Sequence, residues 1–223
     1  MQSVMIQKSR FAPRWRRQVV ALSGAVALAL ISFGNNASGL TLLESKLSIS
    51  GTSTVHAWHS KATSFKVAFA AKSEWPAGAA ELPAVEKAIT AGLLDSVRVA
   101  VDVKAMRSGK DGLDKNMYKA LKAEQHPKIL CTITSFEAKT SPSGALALVG
   151  HGRLTVAGVE EKIQIPAQVT REGDALRVKG SVVVSMKDFG IKPPVMMLGT
   201  LKTGNDFTVE FDLVVGASSG SGL

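Results

Sequence analysis

Apolar and polar residues alternate along most of the chain after residue 40, which is the pattern of half-buried β-strands. The alternation is clearest in Val97–Lys104 and Phe207–Leu213, where apolar residues occupy every second position. The whole pattern predicts eight strands, separated by turn signals. The predicted strands are Leu43–Trp58, Ser64–Lys72, Asp95–Lys104, Lys128–Glu137, Ala145–Val156, Glu161–Arg171, Ala175–Lys187 and Thr203–Val215.

Eight antiparallel strands favour a sheet that closes into a barrel, because closure removes the unpaired edges. The connections at 141–144 and 172–174 have the length of hairpin loops, so neighbouring strands are expected to pair. A barrel of this size is either filled by its own side chains or holds one small ligand. Small residues recur in the strands, which favours a hollow interior, although Val, Ile and Leu alone could fill it; both alternatives stay open. These small residues are Ala68, Ala70, Ala100 and Ala147.

One segment has the period of an α-helix instead. Met117 and Leu121 lie on its apolar face, while lysines occupy the other positions. Asp111 is predicted to be the N-cap, and Pro127 prevents continuation, so the helix is expected to end near Gln125. An amphipathic helix must bury its apolar face, and we therefore expect it to cover the barrel as a lid or plug.

Two further segments break the alternation and are predicted to cover the ends of the barrel. The stretch 73–94 is expected to run over the surface and to contain a second, short helix with Pro83 near its start. The apolar stretch 186–198 contains the pair Pro193-Pro194, so it cannot be a central strand. Its apolar side chains must be buried, either over the barrel mouth or against a partner.

Residues 1–39 are predicted to be an export signal. Five basic residues precede an uncharged apolar run from Val19 to Phe33, and small residues follow up to Gly39. The run is shorter than the roughly 20 residues of a membrane span, so no stable span is predicted. Cleavage is expected near Gly39, with general secretion and twin-arginine export both open as routes. The mature chain is then one barrel domain, 40–216, and a flexible tail, 217–223.

Charge and cysteine content exclude several classes of protein. Residues 40–223 contain 22 basic and 18 acidic residues without a block of Lys or Arg, so no nucleic-acid partner is expected. Cys131 is the only cysteine, which rules out an internal disulfide. Its position in register with Ile129 and Ile133 predicts a small buried hydrophobe.

The candidate polar residues do not form a catalytic or metal-binding pattern. His56 and His59 are three residues apart and would face opposite sides of a strand, so no metal or other cofactor is predicted. No nucleophile elbow, metalloprotease helix or phosphate-binding glycine loop occurs, and we expect no enzyme. If Gly51 marks a bulge, His56 and Trp58 face the interior as part of a ligand pocket; without a bulge they face outward.

Several blocks of the sequence resemble, in their order and spacing, the signatures of the YceI-like family. The blocks are Gly51–Trp58, Met117–Leu121, His126–Ile129, Gly152–Val159 and Met186–Pro194. This resemblance implies a lipocalin-like antiparallel barrel that is exported to the bacterial periplasm. It also implies binding of a polyisoprenoid or another long-chain amphiphile inside the barrel, and it does not imply an enzyme.

The sequence therefore predicts a periplasmic carrier or sequestering protein that encloses an apolar chain, with the helix and the apolar loop controlling access. The alternative is a filled barrel that serves as a structural or partner-binding module without a small ligand. A homodimer stays open in either case. The predicted ligand-binding residues are His56, Trp58, Met117, Leu121, Phe189 and Met196.

Overall fold

The strands of the computed structural model form one curled antiparallel sheet. The structure describes residues 40–76, 81–141, 144–196 and 201–217, which all belong to one unit, residues 33–223. The predicted export signal and nearly all of the predicted tail lie outside the described residues. So do the side chains of Val195, Met196, Leu201 and Ala217.

The described part of the chain contains eleven strands and two α-helices. The strands are β1 (Leu40–Ser53), β2 (Trp58–Ala62), β3 (Lys66–Ala71), β4 (Leu94–Asp102), β5 (Met106–Arg107), β6 (Lys128–Thr140), β7 (Leu146–Val156), β8 (Val159–Glu172), β9 (Ala175–Ser185), β10 (Val195–Met196) and β11 (Leu201–Ala217). The helices are α1 (Leu82–Thr90) and α2 (Asp111–Ala120), and 3₁₀ turns cover Val103–Ala105 and Met186–Phe189.

The prediction of eight strands is wrong in number, while the antiparallel all-β class with two helices is confirmed. The sheet order is β3-β4-β6-β7-β8-β9-β11-β1-β2-β5, and β10 pairs with β11. The hairpins predicted at 141–144 and 172–174 are confirmed by the pairing of β6 with β7 and of β8 with β9. Two of the additional strands, β5 and β10, have only two residues each and are too short to show a period.

The other additional strand arises because the predicted strand Leu43–Trp58 is broken by a turn. The Ser53 hydroxyl accepts hydrogen bonds from the backbone N–H groups of Val55 and His56 and donates to the carbonyl of His56 at 2.7 Å. A side chain that satisfies three backbone groups stabilises a turn in competition with a strand. The chain therefore reverses after Ser53, and β2 pairs antiparallel with β1, placing Trp58 opposite Gly51.

A bulge determines where β6 and β7 approach most closely. The pairing register shifts between Ile133 and Ser135, so that β6 contains one extra residue opposite Gly152. A Cβ atom at Gly152 would lie 2.0 Å from the carbonyl oxygen of Thr132. Only glycine allows the strands to come this close.

Helix α2 begins and ends differently from the prediction. Lys110, and not Asp111, occupies the N-cap, and it makes no capping hydrogen bond through its side chain. The helix ends at Ala120 and not near Gln125, because Lys122 has a left-handed φ of 51° that stops helix propagation. Pro127 alone would permit the helix to continue beyond Ala120, and the conformation of Lys122 removes this last part, which is less than two turns long.

The two helices lie at opposite ends of the sheet. Helix α1 connects β3 to the first residue of β4, whereas α2 lies between the last residue of β4 and β6. Val85 and Ile89 of α1 pack on Leu146, Val169 and Leu176, which confirms the short amphipathic helix predicted over one rim. We call these two regions the α1 end and the α2 end.

Candidate functional site: an apolar cavity in the curled sheet

A cavity of about 240 Å³ lies on the concave side of the sheet. Residues of β1, β4, β6, β7, β8, β9 and β11 line it, together with Phe65, Met106 and Leu121. None of the described residues that line it carries a charge or a hydroxyl group. The side chains of the sheet therefore leave apolar space of about 240 Å³ unfilled on its concave side.

The alternating pattern of the sequence produces this wall directly. Every second residue of β11 from Phe207 to Leu213 lines the cavity, and so does every second residue of β4 from Val97 to Val101. Their neighbours, such as Arg98 and Glu210, are exposed on the convex face. The period-two prediction of an inward apolar face is thus confirmed in both strands.

The small residues that leave room inside were not the ones predicted. None of the four alanines predicted to make space lines the cavity; the small residues in its wall are Gly150 and Ala167. Gly150 faces Ile133, whose Cγ2 atom would lie 2.8 Å from a Cβ added at that position. Both positions follow the inward alternation of β7 and β8, but the space beside them depends on which strands face each other across the sheet.

Cys131 lines the cavity between Ile129 and Ile133, as its register predicts. Burial raises the pKa of the Cys131 thiol to about 11. A buried thiol with a raised pKa stays protonated at neutral pH and behaves as a small apolar group. Cys131 therefore contributes to the apolar wall and not to a reactive centre.

The α2 end of the cavity is closed by a packed apolar cluster. Met186, Phe189 and Ile191 form its buried core, and Phe189 is only 4% exposed. Leu121, at the C-cap of α2, packs against this cluster and also lines the cavity. Trp58 packs on the same cluster, so the helix end, the β1–β2 region and the segment after β9 meet here.

Polar contacts attach α2 to the chain that precedes it. The Tyr118 hydroxyl lies 2.8 Å from the carbonyl oxygen of Met106 and 3.2 Å from that of Lys104. The Asp114 carboxylate is 3% exposed and accepts hydrogen bonds from the backbone N–H and hydroxyl of Ser108 at 2.8 and 2.7 Å. Burial alone would raise the pKa of Asp114, but these hydrogen bonds and the nearby Arg107 hold it below its ordinary value.

The six residues predicted to bind a ligand occupy different places. Leu121 lines the cavity, and Trp58 and Phe189 belong to the cluster that closes it. Met117 is half-buried on α2 and does not reach the cavity wall. His56 is exposed in the turn after β1, because the register shift at Gly51–Ser53 is followed by that turn and not by more strand. The side chain of Met196 lies outside the described residues.

The chemistry of the site is limited to apolar contact. Among the residues that the structure describes, no three His, Cys, Asp or Glu side chains are arranged to hold a metal ion. No helix in the same part of the chain has the length and apolar content needed to cross a bilayer. The cavity wall offers dispersion contacts and exclusion of water, which suit a hydrocarbon chain.

Solved structures with a similar fold include several bacterial proteins. BcnA of Burkholderia cenocepacia is 15% identical over 76% of this chain and 95% of its own, with a TM-score of 0.57. A domain from Saccharophagus degradans, described as polyisoprenoid binding and implicated in plant cell wall breakdown, is 13% identical over 80% and 97%, also with a TM-score of 0.57. The Campylobacter jejuni YCEI protein is 13% identical over 72% and 85%, with a TM-score of 0.52.

At these identities the similarity to solved structures concerns the fold. A search of curated proteins found no match. The sequence profile of the YceI-like domain matches residues 43–215, which include almost the whole described sheet and the entire cavity wall. This chain therefore belongs to the YceI-like family, in agreement with the sequence blocks that resemble it.

Proposed function

We propose that this protein is an exported periplasmic carrier or sequestering protein that holds a long apolar or amphiphilic chain inside a lipocalin-like barrel. The observation that carries the proposal is the continuous apolar cavity of about 240 Å³. The ligand class proposed is a polyisoprenoid, because one similar structure is described as binding polyisoprenoids and the cavity offers only apolar contacts. Export is proposed from the signal predicted in residues 1–39, and no catalytic step is part of the function.

The connections between strands support the lipocalin-like part of the proposal. Strand β5 follows β4 after one 3₁₀ turn and pairs with β2, with Ala62 opposite Met106. Strand β2 in turn precedes β3, which pairs with β4. If β2 and β3 are regarded as one bent strand, and β4 and β5 as another, the strand order closes on itself. The sheet then has eight strands. This is the number at which a barrel can hold one small ligand.

The volume of the cavity limits how much of a chain it can hold. An apolar cavity of about 150 Å³ accommodates one benzene molecule, so 240 Å³ corresponds to about ten carbon atoms, or two isoprene units. Burying ten methylene groups favours binding by about 8 kcal/mol. The translational and rotational freedom that the ligand loses offsets at least about 4 kcal/mol of this. The net contribution of the enclosed part is therefore at most about 4 kcal/mol, which corresponds to an affinity of about 1 mM. A longer chain must extend beyond this cavity or widen it to bind more tightly.

Native mass spectrometry of the gently purified protein, followed by extraction and identification of any lipid, tests the proposal. The same protein is then titrated with prenyl alcohols of increasing length. We expect one ligand per chain and an affinity that rises steeply up to about ten carbon atoms and more slowly beyond them. Repeated recovery of a ligand-free protein that also takes up none of the prenyl alcohols would refute the proposal.

A further inference from the structure

The excess positive charge of the chain is concentrated at the α2 end. The segment Val103–Lys128 contains seven Lys and Arg residues and three Asp and Glu residues, an excess of four. Residues 40–223 contain 22 basic and 18 acidic residues, which is also an excess of four. The remainder of that stretch is therefore neutral as a whole, and this one segment carries its net charge.

Most of the charges at the α2 end are not neutralised by ion pairs. Lys110, Lys115, Lys119 and Lys122 are exposed, and no described carboxylate lies within ion-pair distance of any of them. Lys104 and Arg107 are paired instead: the Nζ atom of Lys104 lies 2.7 Å from Glu124, and the Arg107 guanidinium lies 3.6 Å from the Asp114 carboxylate. These four unpaired lysines form what we call the lysine patch.

Ion pairs are more frequent at the α1 end. Arg171 pairs with Glu81, and Lys72 lies 4.0 Å from Asp95. On the adjoining convex face Arg177 pairs with Asp212 at 2.8 Å and with Glu172 at 3.0 Å, so cations and carboxylates occur there together. Two exposed lysines at the α1 end, Lys87 and Lys139, also have no described ion-pair partner, so the two ends differ in degree. The four lysines of the lysine patch should attract an anionic surface more strongly.

The geometry of α2 directs the lysine patch away from the protein. Asp114, Tyr118 and Leu121 recur at helical spacing on the face that contacts the chain. Lys115 and Lys119 are four residues apart and share a different, exposed face. The same short element therefore contributes to the cavity wall on one side and presents unpaired charge on the other.

An exposed apolar side chain accompanies the lysine patch. Val55 is 67% exposed in the turn between β1 and β2. This turn lies at the α2 end, because the last residue of β1 pairs with Thr203 near the start of β11. An exposed apolar side chain at the same end of a protein as exposed lysines is typical of surfaces that lie at the boundary between water and a lipid bilayer.

We propose that the α2 end docks onto an anionic lipid bilayer through the lysine patch, with Val55 entering the headgroup region. If the proposed function is correct, this orientation places the end that closes the cavity against the membrane from which an apolar chain would be taken. A nucleic acid fits the patch less well, because its unpaired cations are all lysines and no aromatic side chain is exposed among them.

Flotation with lipid vesicles tests the proposal on the purified protein. Vesicles of mixed phosphatidylglycerol and phosphatidylcholine are compared with vesicles of phosphatidylcholine alone, at low and at raised salt. We expect binding only to the anionic vesicles, and we expect salt to weaken it. Each lysine near an anionic surface contributes about fivefold to partitioning, so the double variant Lys115→Gln/Lys119→Gln should bind about 25-fold more weakly.

A matched double variant removes the same charge at the α1 end. Lys87→Gln/Lys139→Gln neutralises two exposed lysines that also have no described ion-pair partner, and it should bind vesicles like the unmodified protein. Circular dichroism establishes that both double variants are folded. The salt dependence of the unmodified protein provides a second measurement that needs no variant.

Three results would overturn the docking proposal. They are failure of the unmodified protein to bind anionic vesicles at low salt, an equal loss of binding in both double variants, and tighter binding to a duplex oligonucleotide than to the vesicles. The variant Ala167→Leu, which reduces the cavity, should still bind vesicles normally. Vesicle binding and ligand uptake can therefore fail separately. Vesicle binding tests the docking proposal, and ligand uptake tests the proposed function.

Discussion

Replacing Ala167 by leucine tests directly whether the ligand lies in the cavity. Ala167 lies on β8, opposite Leu148 of β7 and Gly180 of β9, and its side chain faces the cavity. Leucine adds three carbon atoms. On the scale of one benzene molecule per 150 Å³, these occupy about 75 Å³, or roughly a third of the 240 Å³ cavity.

The expected loss of affinity follows from the displaced volume. Three carbon atoms of the protein replace about three methylene groups of ligand, which contribute about 0.8 kcal/mol each. The loss of about 2.4 kcal/mol corresponds to an affinity about 60-fold lower. The free energy of unfolding should be unchanged or higher without ligand, because the new side chain fills apolar space that already exists.

The assay is a titration of each variant with a prenyl alcohol, followed by native mass spectrometry, and the free energy of unfolding is measured in urea. The matched control is Gln168→Leu, which adds a leucine side chain at the next residue of the same strand, on the exposed face. It should leave affinity unchanged. An affinity equally high in Ala167→Leu and in the unmodified protein would refute the reasoning, because the ligand could then not occupy this space.

Three further outcomes are expected. Gly152→Ala should lower the free energy of unfolding in urea by about 1–3 kcal/mol, since the new Cβ would lie 2.0 Å from the Thr132 carbonyl oxygen; a smaller effect would contradict the close approach. The pKa of Asp114 is lowered in the folded state, because hydrogen bonds from Ser108 outweigh the opposing effect of burial. The ionised Asp114 carboxylate therefore stabilises the folded protein above about pH 4, and this contribution is lost as pH falls through the folded-state pKa. The free energy of unfolding should therefore depend more on pH below about 4 in the unmodified protein than in Asp114→Asn. Cys131, with a thiol pKa of about 11, should react with iodoacetamide at pH 8 far more slowly in the folded than in the unfolded protein, and bound ligand should slow it further, as followed by mass spectrometry.

Local sequence signals predicted those features that depend on neighbouring residues. The amphipathic pattern and Pro83 predict α1, which begins at Leu82. The apolar period of Met117 and Leu121 predicts α2, although the end of that helix is set by the left-handed conformation of Lys122, and lysine is not a residue type that favours this conformation. The bulge near Gly51 was identified as an alternative, but the turn at Ser53 was missed, because a serine after a strand is as compatible with continuation as with reversal.

The candidate site was only partly predictable for a related reason. Leu121 was expected to contact the ligand because it belongs to the apolar face of α2, and it does line the cavity. His56 belongs to no apolar pattern that would fix the direction of its side chain, and it is exposed in the turn. The excess of positive charge in Val103–Lys128 can be counted in the sequence, but which of its lysines are unpaired depends on the carboxylates that lie nearby in space.

The sequence by itself determined the two faces of every long strand, since side chains alternate across a strand regardless of what it pairs with. It thereby determined that the concave face is apolar and that Cys131 belongs to it. Only the tertiary structure decided that this face surrounds empty space, because a void depends on the curvature of the sheet and on the strand register that places Gly150 and Ala167 in its wall. The tertiary structure also decided which charges are paired, since residues far apart in sequence, such as Arg177 and Asp212, become neighbours only when the strands pair.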